Sequence, residues 1–232
     1  MDGTTAVDVA LQRVRALIAD GTLRTGDRLP SEGVLSEQLG VSRGSIREAI
    51  RMLAALGVVD TRHGSGSFVA ELRAADVIES LSLTVGLLPL ESVLELYELR
   101  RVLESHAASL AAARAAPEDL AALAQTLDDL ERAGNDERQS QLDHEFHMRI
   151  ARVGGNDALG ALVSVLRSRS RAYKLFTSDS ADEIKRLSDA GHRAILRGIE
   201  AQDPVAAAAA AAAHVTQTEV WLRKLRPAAQ PE

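Results

Sequence analysis

Between Leu29 and Val69 the chain is punctuated so closely by caps, glycines and apolar repeats that few folds remain open to it. Ser31 is placed to cap a short helix whose residues Val34, Leu35 and Leu39 face inward. Gly40 ends that helix, since the turn needs a residue that tolerates positive φ. Ser42 caps a second helix, in which Ile46, Ile50 and Leu53 recur at helical spacing and pack against the first. Gly57 stops it and Val58-Val59-Asp60-Thr61 forms a strand. Gly64 and Gly66 then allow a tight turn into Ser67-Phe68-Val69. Two short helices, a turn and a glycine-rich hairpin in this order describe a winged helix-turn-helix, a shape that puts its second helix into a DNA major groove. An amphipathic helix from about Val7 to Asp20, inward through Val7, Leu11, Val14, Leu17 and Ile18, braces it.

Arg43, Arg47 and Arg51 lie four apart on another face of the second helix and form one cationic stripe. The stripe starts at the helix N-terminus, where unpaired backbone N–H groups and the dipole also favour phosphate. A charge run like this is usually a solvated surface face; the ordered caps and wing around it favour DNA. The net charge of −6 at first opposes that reading. Residues 1–70, however, hold eight Arg and no Lys against eight acidic residues, so the excess of acid lies entirely beyond them. Attraction to DNA therefore comes from a local stripe, and non-specific binding is expected to be weak.

The 232 residues allow one or two domains, and the low aromatic content points to an aliphatic, alanine-rich helical protein. With no cysteine, disulfide and thiolate chemistry are excluded, as a reducing compartment would favour. The N-terminus lacks the regions of a signal peptide and no apolar run is long enough to span a membrane. A cytoplasmic protein with no membrane partner is expected. Beyond Val69 helical periodicity takes over, with helices near 74–86, 90–115, 117–133, 138–153, 157–176, 181–200 and 204–225. Pro89 and Pro117 stand at starts, Asn156 at a cap, and Gly134, Gly154 and Gly155 at ends. The run Ala206 to Ala213 is close-packed helix rather than linker. The fold class is mainly α: a winged helix-turn-helix over residues 1–72, then an all-α antiparallel bundle over 73–228.

Within the bundle, Asp143 and His147 are one turn apart on a face continued by Ile150, with Phe146 beside it. His192 is turned inward by Ile195 and Ile199, and His214 shares a face with Thr218, Trp221 and Leu225. A buried carboxylate beside neutral imidazoles is well satisfied by a divalent cation. Spacing leaves other readings open: an inward histidine is often a satisfied core residue, and Asp143 could simply orient His147. His106 and His144 have no partner that spacing identifies, Trp221 reads as core or interface, and Asn156 reads as a cap rather than a ligand.

The N-terminal segment resembles the GntR family of bacterial regulators, and the remainder resembles the FCD domain of its FadR branch. The residues that carry the likeness are Tyr97-Glu98-Leu99-Arg100-Arg101-Val102-Leu103-Glu104, Asp143-His144-Glu145-Phe146-His147, Gly155-Asn156, His192-Arg193-Ala194-Ile195 and His214. The resemblance implies a divalent metal, most often zinc with nickel or manganese also suited, bound by Asp143, His147, His192 and His214. It implies a small carboxylate effector on the metal's open positions, with Arg100 pairing its anionic end as a guanidinium fork does. An acyl-CoA effector is disfavoured, since members that respond to it lack one or more of these ligands. It implies a homodimer on a palindromic double-stranded operator, contacted through Ser42, Arg43, Ser45, Arg47, His63 and Gly64, to which the stripe residue Arg51 and Arg28 are added as candidate contacts. Two departures stand out. Gly33 occupies a place where the family usually has a DNA-contacting Arg, and Gly191 precedes His192 where the family often has Glu.

The expected function is that of a DNA-binding regulator, a repressor, and not an enzyme. The main alternative is a metal-dependent enzyme acting on a carboxylate or ester, which one Asp and three His could serve by activating water. No separate general base is well placed for it, and it would leave the wing and the arginine stripe unexplained. A further alternative is a module whose helix-turn-helix makes protein contacts alone.

Overall fold

Thr5 opens the first helix: its hydroxyl accepts from Asp8 N–H while the Asp8 carboxylate accepts from Thr5 N–H, a reciprocal cap. In this computed structural model residues 5–134, 137–171, 173 and 180–227 are described. The chain divides into two compact units, Met1–Val77 and Ile78–Glu232.

In the first unit α1 (Ala6–Ala19) packs on α3 (Arg43–Ala55), which also packs on α2 (Glu32–Leu39). Ser31 caps α2 by accepting from Val34 N–H, Gly40 takes φ +67° just past its end, and Ser42 caps α3 by accepting from Ser45 N–H. The core is Ala10, Val14, Leu35, Ile46, Ala49 and Leu53, with Val59 and Val69 from the hairpin. Val34 corrects the sequence reading: it is 43% exposed, because Leu35 and Leu39 define the inward stripe of this two-turn helix and Val34 falls beside it. Strands β1 (Val59–Arg62) and β2 (Gly66–Val69) pair antiparallel, Val59 opposite Val69 and Arg62 opposite Gly66. The predicted strand start, Val58, lies outside β1; its N–H donates to Leu53 O and leads the chain out of α3. Extended backbone at 27–29 lies along the other edge of β2, through Leu29 N–H to Ser67 O and Val69 N–H to Asp27 O, and steadies the wing.

The helix expected over 74–86 is broken into α4 (Ala74–Glu79) and α5 (Ser82–Val85). No residue of either is buried, so no continuous apolar face holds them as one helix. In the second unit the long α6 (Leu90–Arg114) packs along α11 (Pro204–Leu225) and against α8 (Glu137–Val153), α9 (Asp157–Arg171) and α10 (Ala181–Glu200). The remaining helix, α7 (Pro117–Arg132), covers α8 and α10. Of the helix expected over 157–176, α9 covers Asp157–Arg171, residue 173 is not helical, and 172 and 174–176 lie outside the described residues. Asn156 is a cap, accepting from Leu159 N–H, and Asp203 caps α11 with Pro204 in its first turn.

The alanine run is close-packed, as expected. Ala207 and Ala211 are buried, and a Cβ added at Gly198 would stand 2.6 Å from Ala207 N, so α10 and α11 approach almost backbone to backbone. That closeness brings His192 and His214 within reach of each other. Among the described residues no helix is long and apolar enough to cross a membrane.

Candidate functional site

On the first unit, Arg43, Arg47 and Arg51 are all exposed along α3, as their spacing requires. Arg47 is not free: its Nε and Nη2 donate to Glu32 Oε1 and Oε2 at 2.9 and 2.6 Å, a bidentate pair in solvent. Arg51 lies 3.7 Å from Glu48. The Ser42 and Ser45 hydroxyls are 2.9 Å apart at the start of α3, so both are bound up in the cap. Gly33 faces Arg43, whose Nη2 lies 3.3 Å from where a Cβ would stand; the missing side chain leaves that space to the Arg43 guanidinium. His63 and Gly64 sit in the exposed three-residue turn of the wing, with Gly64 at φ +70°. Arg28 is exposed and packs its guanidinium over Gly66, where a Cβ would come within 2.9 Å of Nε. Arg62, which spacing did not single out, stacks on the Phe68 ring at 4.4 Å.

On the second unit, α8, α10 and α11 bring Asp143, His147, His192 and His214 together, each offering one ligand atom within 4.8 Å of all the others. The three imidazoles are buried and Asp143 is partly buried. His147 Nε2 and His192 Nε2 face each other at 3.3 Å, and Asp143 Oδ1 lies 3.2 Å from His192 Nε2. His147 Nδ1 lies 3.0 Å from Glu104 Oε2. An ionised Glu104 can only accept, so the His147 proton sits on Nδ1 and the Nε2 lone pair is turned into the cluster. A carboxylate behind an imidazole is the usual support of a metal-bound histidine, so the residues present fit a divalent cation. Gly191 places His214: its ring occupies the space a side chain there would need, Nδ1 standing 2.7 Å from a Cβ.

Behind the cluster lies a buried charge network. Glu104 accepts from Arg100 Nε at 2.8 Å and from Arg167 Nη1 at 2.9 Å, and Arg167 Nη2 donates to Asp143 Oδ2 at 2.5 Å. Arg100 also lies over the Tyr97 ring at 4.4 Å. Burial alone would raise the Glu104 carboxyl, but Arg100 and Arg167 hold it well below its usual range. Burial likewise opposes ionisation of Asp143, and Arg167 with the His192 hydrogen bond holds it well below the usual carboxylate range. His147 is brought down to about 4, chiefly by burial with Arg167 adding to it. Burial, then the neighbouring His192 and His147, holds His214 well below its usual range. Neutral imidazoles beside ionised carboxylates are the protonation state that metal ligation needs. A cavity of about 10 Å³, the room of a single water, lies against His147 and Glu104 with Ala107, Ala108 and Ala211 around it.

Every metal ligand and Arg100 expected from the sequence lies in or beside this cluster. Glu104 and Arg167 were not assigned roles by spacing. Their signal was a charged residue ending an apolar stripe: Leu159, Val163 and Arg167 recur every four residues, and so do Arg100 and Glu104. His106 is exposed, and Trp221 belongs to a core with Tyr97, Tyr173 and Leu222.

A capped second helix with a wing, followed by an all-helical unit, is the architecture of a helix-turn-helix regulator of transcription, and comparison with known proteins agrees. Residues 7–69 match the family described as "Bacterial regulatory proteins, gntR family", and residues 95–217 match the FCD domain. The HTH-type transcriptional regulator LutR of Bacillus subtilis is 30% identical over 212 residues, 88% of this chain and 94% of that protein. The uncharacterized HTH-type transcriptional regulator Rv0494 of Mycobacterium tuberculosis is 34% identical over 213 residues, 89% and 85% of the two chains. The solved structure of Streptococcus agalactiae GntR superposes with a TM-score of 0.60 at 29% identity, covering 92% of this chain and 99% of its own. The chain belongs to the GntR family of transcription regulators, with an FCD domain after its DNA-binding domain, and is not an enzyme.

Proposed function

We propose that the protein is a cytoplasmic repressor that binds a palindromic operator as a homodimer and releases it when a small carboxylate binds beside a divalent metal ion. Residues 1–72 carry DNA binding, and residues 73–228 carry sensing and dimerisation. The observation that carries the reading is the convergence of Asp143, His147, His192 and His214 within 4.8 Å, with Glu104 fixing the His147 tautomer. The metal is zinc, for which three imidazoles and one carboxylate are an ordinary ligand set; nickel or manganese suit the same donors. When bound it supplies a Lewis-acidic centre for an anionic oxygen. Arg100 pairs with the anionic end of the effector, and its place on α6 links that event to the longest helix of the unit. A carboxylate that prefers one of two helix arrangements shifts the spacing of the two recognition helices.

At the DNA, Arg43 and Arg47 read base edges or backbone from α3, and Arg28, Arg51, Ser42 and Ser45 support backbone contact. His63 and Gly64 place the wing at the minor groove. Gly33 in place of a family arginine gives an operator that departs from the commonest one.

The test is fluorescence anisotropy of metal-loaded protein on DNA from upstream of its own gene, with and without small hydroxy- and sugar acids. Saturable binding that one of these acids weakens supports the reading. Binding to that DNA no tighter than to random duplex would overturn it.

A further inference from the structure

Arg167 is the buried group that the expected ligand set leaves without a purpose. It is 4% exposed, it spans Glu104 and Asp143 through its two terminal nitrogens, and among the described residues its Nε has no hydrogen-bond partner. A buried guanidinium N–H left unpaired is costly, so this donor is suited to an oxygen that arrives from outside. The charges lead to the same conclusion. Among the described residues of the network, Arg100 and Arg167 balance Glu104 and Asp143, and the three imidazoles are neutral when they act as ligands. With a divalent ion at the four ligands, two positive charges stand uncompensated in a largely buried centre, and a low-dielectric surrounding makes each of them expensive.

We propose that the effector is a doubly charged oxyanion, and that Arg167 is its second anchor, Nε donating to one of its oxygens while Nη1 and Nη2 keep Glu104 and Asp143 in place. This rests on the proposed sensing role and adds the charge class of the ligand. A dicarboxylate and a phosphate share the chemistry, since both bring two charges and several acceptor oxygens. A monocarboxylate would leave one buried charge unmatched.

Calorimetric titration of the metal-loaded full chain with malonate, inorganic phosphate, acetate and lactate tests the assignment. Malonate or phosphate is expected to bind roughly tenfold or more tightly than acetate and lactate. The tighter of those two identifies the source as carboxylate or phosphate. In Arg167→Gln the preference should shrink while metal content, measured by elemental analysis, is retained; Arg167→Lys, which keeps the charge without the fork, should recover part of it. The wild-type comparison stands even if a variant fails to fold. Acetate or lactate binding as tightly as both dianions overturns the charge class while leaving the sensing role intact. A metal-loaded protein that binds none of the four overturns both. An unchanged preference in a folded, metal-loaded Arg167→Gln protein overturns the anchor.

Discussion

Gly191 is the smallest residue with a large consequence for the candidate metal centre. With a Cβ 2.7 Å from His214 Nδ1, Gly191→Ala must push the imidazole off its position, while the rest of α10 keeps its helix. Metal affinity is expected to fall by about 10–100-fold, the range seen when support around metal ligands is disturbed. Competition against a chromophoric chelator measures it, and an unchanged affinity would show that His214 is not a ligand. At the DNA face, Arg47 is held by Glu32 in a pair that solvent screens, so the guanidinium can be surrendered to a base at little expense. Arg47→Ala is therefore expected to cost about 1–3 kcal/mol of operator affinity, with relaxed preference at one base position. Identical affinity and base preference in that variant would remove Arg47 from the recognition surface.

Helices announced themselves wherever their ends were local chemistry. Ser31, Ser42, Asn156 and Pro117 act where the sequence placed them, because a cap depends on residues within one turn of itself. The break between α4 and α5 was not legible, since apolar residues such as Val77, Leu81 and Leu83 continue through it, yet in the fold they remain exposed. The convergence of Asp143, His147, His192 and His214 was foreshadowed because each candidate ligand sits on an apolar stripe of its own helix. Spacing within α9 and α6 marks Arg167 and Glu104 as inward charges, but their pairing appears only when α6, α8 and α9 meet. The α10–α11 contact is the element on which the site depends. Replacing Gly198 with Ala drives a Cβ to within 2.6 Å of the Ala207 backbone, and overpacking of this kind costs about 1–3 kcal/mol. Urea denaturation of the metal-free protein checks it; an unaltered midpoint would mean that the two helices separate freely.

For the whole chain, buried histidines make stability depend on acid. His147 sits at about 4 in the folded chain against 6.5 as a free side chain, and His214 is lowered as well. Between those values the unfolded chain takes up protons that the folded chain refuses, so this stabilisation is complete above about 6.5 and drains away as pH falls toward about 4. The melting temperature of metal-free protein is expected to drop over that interval, and a flat profile would contradict the buried neutral imidazoles. Residues 1–70 are formally neutral, so if the proposed arginine stripe docks the operator, affinity is expected to fall steeply with salt. The proposed sensing role stands on one metal ion that ties three helices together. Elemental analysis of protein purified without a histidine tag, after reconstitution with zinc and exhaustive dialysis, tests it most directly. One zinc per chain in the wild type and a loss of most of it in His147→Ala are expected; a wild-type chain that retains none would rule out the metal site.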